Sequence, residues 1–163
     1  FINNMRVTQS TFIEGYKRGL ASYSKQQADQ ESVWYLIHDT MYVEFNDREL
    51  DWGYTQGEDT NGFLLHHGLL LDTDHVPLGL LHQGVIHWDR KEFGKRADCK
   101  KKVIDDKESS KWLEGIKSGK EFSELTGRKL IHILDREADI ADVINLFLGK
   151  RFGRFRLYHT GTP

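Results

Sequence analysis

The sequence predicts an α/β protein built on a mixed β-sheet with flanking helices. Three long segments rich in β-branched, aromatic and leucine residues follow one another, which is typical of an antiparallel meander. A later short apolar run, Leu130–Leu134, lies between two segments with helical periodicity, which is typical of a buried parallel strand. A chain of 163 residues is long enough for one domain with its own core.

Each element has a local signal. Thr11-Phe-Ile-Glu14 has the pattern of a capping box, which marks the start of a helix, and Asp105-x-x-Glu108 repeats that pattern later in the chain. The predicted order is a helix from about Phe12 to Tyr23, strands over Val33–Phe45, Phe63–Asp72 and Pro77–Trp88, a helix after Glu108, a strand over Leu130–Leu134, a helix over 138–148 and a strand over Arg151–Tyr158.

Composition excludes several classes of protein. Hydrophobic residues make up 38% of the chain and aromatic residues 12%, which excludes a disordered chain. A single cysteine excludes an internal disulfide framework, and the sequence contains no apolar run long enough to span a membrane. The net charge of −2 excludes a uniformly basic nucleic-acid binder, although Arg90–Lys102 is a local basic stretch. We expect a cytoplasmic protein.

Two acidic residues occupy unusual positions in predicted strands. Alternation places Asp39 on one face of its strand with Val33, Tyr35 and Ile37, and Asp135 closes the fourth strand. If the two strands are parallel neighbours, both carboxylates emerge at one sheet edge, where open α/β sheets bind ligands. A pair of carboxylates suits Mg²⁺ or Mn²⁺ and phosphodiester chemistry. The structural alternatives are a helix N-cap for Asp135 and a strand-end hydrogen bond for Asp39.

Histidines are a weaker indication of a metal site. Adjacent residues of a strand point to opposite faces, so His66 and His67 cannot both ligate one zinc ion in a regular strand. A zinc site is therefore not the favoured interpretation.

Four short motifs occur together along the chain. They are Asp39-Thr40, Gly79-Leu-Leu-His-Gln83, Lys107-Glu-Ser-Ser-Lys-Trp-Leu113 and Asp135-Arg-Glu-Ala-Asp139-Ile. This set resembles the DDE transposases of bacterial insertion sequences. More narrowly, it is similar to the insertion-sequence-four family, whose cut-and-paste members make DNA hairpins. The resemblance covers about Val33 to Phe147.

The resemblance implies an RNase H-like core, in which three antiparallel strands are followed by two parallel ones. It implies that Asp39 and Asp135 are catalytic acids that bind Mg²⁺ (or Mn²⁺) and activate water or a DNA 3′-hydroxyl against phosphodiesters. The implied partners are DNA, as transposon ends and target, and a second subunit in a homodimer of the full-length protein. The implied location is the bacterial cytoplasm, at the nucleoid when DNA is bound.

Basic side chains near the expected active-site edge are predicted to hold phosphates. They are Arg136, Lys107, Lys111, Lys100, Lys101 and Lys102. The alternative for each is an ordinary solvated charge.

The resemblance is incomplete. Residues 1–32 are predicted to be the end of an upstream helical DNA-binding domain plus a linker, and residues 33–163 a partial catalytic core. That core lacks the part with the third acid, a Glu in a downstream helix. One alternative is therefore an inactive remnant that at most binds DNA or partner subunits. Another is a nuclease that recruits Glu137 or Asp139 as its third ligand, although acids in a first helical turn also favour the helix dipole.

Overall fold

A computed structural model of the chain describes residues 8–27, 29, 31–46, 53, 55, 61–87, 110–135, 138, 143–145 and 157–159. The elements within these residues are α1 (Gln9–Gln26), β1 (Val33–Phe45), β2 (Asn61–Leu71), β3 (Pro77–Ile86), α2 (Ser110–Thr126), β4 (Lys129–Leu134) and β5 (Leu157–His159). No helix of the described residues is long and apolar enough to cross a membrane.

The described strands form one mixed sheet in the order β3-β2-β1-β4-β5. Strand β2 pairs antiparallel with both β1 and β3, whereas β4 pairs parallel with both β1 and β5. A tight turn joins β2 to β3. In this turn the Asp72 carboxylate accepts hydrogen bonds from the main-chain N–H groups of Asp74 and Val76. The predicted meander continued by parallel strands is confirmed.

Helix α1 begins earlier than the capping box at Thr11 predicts. The N-cap is Thr8, whose hydroxyl accepts a hydrogen bond from the N–H of Thr11 at 3.2 Å. The predicted start at Phe12 was wrong because Thr8 is also a good capping residue and satisfies an N–H group in the first turn of a helix that begins at Gln9. The capping box at 105–108 lies outside the described residues, and α2 is described from Ser110.

The core lies between α2 and one face of the sheet. Alternation in β1 buries Trp34, Leu36 and His38 and leaves Tyr35 and Ile37 partly exposed. One cluster of buried side chains contains Leu20, Ala21, Trp34, Leu36, Leu70, Leu81, Phe122 and Leu130. A second contains Trp112, Leu113, Ile116, Leu134, Ala138 and Val143. Helix α1 therefore packs on the sheet, through Leu20 and Ala21.

Arg128 holds the linker between α1 and β1. Its fully buried guanidinium lies 4.4 Å from the centroid of the Trp34 ring. It donates hydrogen bonds to the carbonyl of Ser24 at 3.0 Å, to the hydroxyl of Ser32 at 2.7 Å and to the carbonyl of Asp29. These bonds fix the chain where β1 enters the sheet beside β4.

The last part of the chain is described at a few positions. Residues 143–145 are helical, in agreement with the predicted helix over 138–148, and Ala138 and Val143 are buried against α2 and Leu134. The last strand is described over Leu157–His159, which overlaps the end of the predicted Arg151–Tyr158, and residues 151–156 lie outside the described residues. It pairs with β4 from His132 onward.

Candidate functional site

The pairing register of β1 and β4 places Asp39 and Asp135 at equivalent positions of the two neighbouring strands. The parallel pairing of β1 with β4 ends at Ile37 and Ile133, which are direct partners. Each aspartate lies two residues further along its strand direction, so both share the face of these two isoleucines. The predicted adjacency of the two strands is therefore confirmed, whereas sharing of a cation stays a prediction.

One open groove contains both carboxylates. It has a volume of about 470 Å³, and its lining includes the polar residues Asp39, His67 and Asp135. His38 and a set of apolar side chains complete the lining. That set is Ile37, Leu69, Leu80, Ile133 and Leu134. Both carboxylates are exposed, so solvent reaches their oxygen atoms.

The two structural alternatives for the aspartates differ in their support. The carbonyl of Asp135 accepts a hydrogen bond from the N–H of Ala138 at 3.2 Å. The N-cap alternative therefore stays open for this residue. The Asp39 side chain makes no hydrogen bond to the residues that the structure describes, so a strand-end bond does not account for it.

The donor set fits a hard divalent cation. Two exposed carboxylates on one groove supply the oxygen ligands that Mg²⁺ and Mn²⁺ prefer, with water free to fill the other positions. Within the described ranges, no group of three or more histidine, cysteine or acidic side chains is arranged to hold a metal ion. The pair is therefore the only part of such a site that these ranges supply.

A layer of buried histidines lies behind the groove, on the face that meets α2. The described members are the buried His38, His66 and His132 and the partly buried His82. Nε2 of His38 lies 2.9 Å from Nδ1 of His132, and Thr40 Oγ1 lies 2.9 Å from Nδ1 of His66. His66 points to this layer whereas His67 lines the groove, so the prediction that they face opposite sides is confirmed. Sequence reasoning did not predict the layer.

Burial keeps these imidazoles neutral. It lowers the pKa of His66 to about 3 and those of His82 and His132 to about 4. The neighbouring cations Lys111, for His66, and Lys17, for His82, lower the pKa further. The layer is thus a set of uncharged rings, of which His38 and His132 join β1 to β4 through one hydrogen bond.

Lys111 is the one predicted phosphate-binding residue that lies within the described ranges. Its side chain is only 3% exposed, and Nζ lies 5.5 Å from the centroid of the Trp112 ring. Its role toward DNA stays a prediction. The other predicted phosphate-binding residues, Arg136, Lys107, Lys100, Lys101 and Lys102, lie outside the described residues, as do Glu137 and Asp139.

His67 is a groove residue that sequence reasoning did not select. It is the direct antiparallel partner of Asp39, and Gln83 is its partner on β3. The available signal was the alternation of β2, which places His67 on the face opposite to the buried His66. The pairing register was needed as well, because it decides which residue of β1 lies beside His67.

Comparison with known proteins gives distant structural likeness only. No protein-family model and no curated protein matches the chain. The Mos1 transposase paired-end complex with the left transposon end has a TM-score of 0.38 and 8% identity, covering 93% of this chain and 42% of that chain. The Mos1 strand transfer complex has a TM-score of 0.34 and 8% identity, covering 89% and 39%. The chain thus spans about two fifths of each matched chain. Neither likeness is close enough to identify a site or a reaction.

Proposed function

We propose that this chain is part of the RNase H-like catalytic core of a DDE transposase of the insertion-sequence-four type. In this proposal it acts on DNA phosphodiesters with Mg²⁺ or Mn²⁺ held by Asp39 and Asp135. The observation that carries the proposal is that these two carboxylates follow directly paired residues of adjacent parallel strands and line one open groove. The four sequence motifs support the family, and the sheet order fits the core that it implies.

The residues of the chain have separate tasks in this proposal. Asp39 and Asp135 bind the cation through carboxylate oxygens, and the paired Ile37 and Ile133 keep the two strands in register beneath them. A cation held by these two carboxylates would supply Lewis-acid chemistry, polarising a phosphodiester and lowering the pKa of a coordinated water. The open groove leaves room for a DNA backbone beside the carboxylates.

Activity of this chain alone is expected to be absent. Two carboxylates leave most of the coordination shell to water, so Mg²⁺ or Mn²⁺ should bind weakly. We therefore expect that the chain neither nicks DNA nor forms hairpins. Mg²⁺-dependent cleavage abolished by Asp135→Ala would instead favour the self-sufficient nuclease that recruits Glu137 or Asp139.

A Mn²⁺ titration tests the metal site directly. Mn²⁺ binding to the whole chain is followed by calorimetry or by water-proton relaxation, with Asp39→Asn, Asp135→Asn and the control Asp74→Asn. Asp74 is an exposed carboxylate in the turn between β2 and β3. We expect each groove variant to weaken Mn²⁺ binding about tenfold or more, since one of two charged ligands is lost, with no change in Asp74→Asn. Equal affinity in all four proteins would overturn the proposal.

A further inference from the structure

His67 lies beside the proposed metal site on a third strand. It faces Asp39 directly across the antiparallel pairing of β1 and β2. Side chains in such a pair share one face, with Cβ atoms about 4.5–5.5 Å apart. His67 and Asp135 therefore flank Asp39 from opposite sides, and all three line the groove.

The imidazole of His67 has no structural task among the described residues. It makes no hydrogen bond with them, unlike His66, which is bonded to Thr40, and His82, which is bonded to Ser118. Its neighbours along the same face of β2, two residues away on either side, are Leu65 and Leu69. A leucine at position 67 would continue this apolar row, so packing does not require a polar ring there.

A role as a third metal ligand does not fit the geometry. In the described part of the chain, no histidine joins two acidic groups at distances suited to one ion. The imidazole nevertheless carries an N–H group whether it is neutral or protonated, and phosphate oxygens are strong acceptors for such donors.

We propose that His67 is a substrate-contacting residue that donates a hydrogen bond to a non-bridging phosphate oxygen of DNA bound at Asp39 and Asp135. This inference rests on the proposed function, because the cation brings the phosphate to the groove. A phosphate that bound such a cation through one non-bridging oxygen would keep its other non-bridging oxygen available to accept a hydrogen bond from His67. The row of polar side chains continues to Gln83, the partner of His67 on β3, which gives the DNA backbone a second donor in line.

The test compares the whole chain with His67→Ala, His67→Gln and the control His87→Ala. His87 is exposed and follows the end of β3, outside the groove lining. Mn²⁺ affinity is measured first without DNA. Affinity for a fluorescein-labelled duplex is then measured by anisotropy with and without Mn²⁺ at constant ionic strength. Thermal unfolding of each variant confirms that it is folded.

We expect His67→Ala to bind Mn²⁺ as the wild type does and to lose about tenfold in Mn²⁺-dependent DNA affinity, the loss of one hydrogen bond to a charged group. Without Mn²⁺ its DNA affinity should equal that of the wild type. His67→Gln keeps an N–H donor and should restore most of the loss, which a packing role would not predict. His87→Ala should change nothing.

The outcomes separate the two proposals. Normal Mn²⁺ binding together with unchanged Mn²⁺-dependent DNA affinity in His67→Ala overturns the role of His67 alone. An equal loss with and without Mn²⁺, or no rescue by glutamine, also overturns it. A wild-type chain that binds no Mn²⁺, or whose DNA affinity does not respond to Mn²⁺, overturns the proposed function and this inference with it.

Discussion

Nε2 of His38 lies 2.9 Å from Nδ1 of His132, in a buried hydrogen bond that joins β1 to β4 just below the two aspartates. His38 precedes Asp39 directly, and His132 lies on β4 three residues before Asp135. The two rings are stacked, with centroids 5.2 Å apart. This bond links the two strands on the side of the sheet that meets α2, where the His38 ring also packs near Trp112, and so supports the position of the two carboxylates.

Two glycines of the helices provide a matched test of the layer beneath α2. A Cβ at Gly119 of α2 would lie 2.5 Å from Cε1 of His132 and 2.8 Å from Cδ2 of Leu36, whereas a Cβ at Gly19 of α1 would have no atom within 4 Å. We expect Gly119→Ala to destabilise the fold by about 1–3 kcal/mol through overpacking. Gly19→Ala should stabilise it by about 0.5–1 kcal/mol. Urea unfolding of both variants measures the free energies.

If Gly119→Ala stabilised the fold, the close contact between α2 and the ring of His132 would be contradicted. Gly15→Ala repeats the control on the same helix as Gly19, since a Cβ at Gly15 also meets open space.

The free energy of unfolding should begin to fall at a pH well above the lowered pKa values of the histidines in this layer. The folded-state pKa is about 3 for His66 and about 4 for His82 and His132, against an ordinary value of 6.5. Below pH 6.5 the unfolded chain therefore binds protons that the folded chain does not, and the free energy of unfolding falls as pH falls. The slope approaches about 1.4 kcal/mol per pH unit for each histidine.

Urea unfolding between pH 7.5 and 5 measures that slope. His82→Gln should reduce the slope, because it removes one partly buried ring whose pKa is lowered to about 4, and His87→Ala is the matched variant at an exposed position. A free energy of unfolding that stays constant from pH 6.5 to 5 contradicts neutral burial of these rings.

Much of the sheet could be predicted from the sequence. The run Val33–Phe45 is rich in β-branched and aromatic residues between polar segments, and both of its ends were predicted correctly. The run Leu130–Leu134 was recognised as a parallel strand, and this placed Asp135 beside the first strand. The local sequence pattern was sufficient for these two strands because each is an unbroken run of strand-forming residues between polar segments.

The choice of buried face could not be predicted in the same way. Strand β1 has two largely apolar rows, one through Trp34 and Leu36 and the other through Tyr35 and Ile37. Alternation defines the rows but does not say which of them meets α2. The histidine layer depends on that choice, since His38 is buried only because its row contacts the helix. The pairing of His67 with Asp39 depends in turn on the register between strands.

Arg128 and its neighbour Lys129 should differ strongly in their contribution to stability. Arg128 is fully buried and donates hydrogen bonds to Ser24 and Ser32, whereas Lys129 makes a salt bridge to Glu31 at 2.6 Å near the surface. We expect Arg128→Lys to cost about 1.5–3 kcal/mol, because an ammonium cannot reproduce the planar fork of donors. Lys129→Ala should cost about 0.2–1 kcal/mol. Chemical denaturation measures both free energies, and equal losses would contradict the role of Arg128 in holding the linker between α1 and β1.

DNA binding should depend on the local basic stretch Arg90–Lys102, which lies outside the described residues, rather than on the net charge of −2. Phosphate contacts position DNA without specifying sequence, so we expect weak binding that falls with salt and has nearly no sequence preference. Reversal of Lys100, Lys101 and Lys102 to glutamate should weaken binding. It should also reduce the salt slope by about 2.7, at about 0.9 per phosphate contact.

Anisotropy titrations at several salt concentrations measure both effects, with Lys25→Glu as a control on α1. An unchanged slope, or tight binding to one sequence at physiological salt, would show that this stretch is ordinary solvated surface.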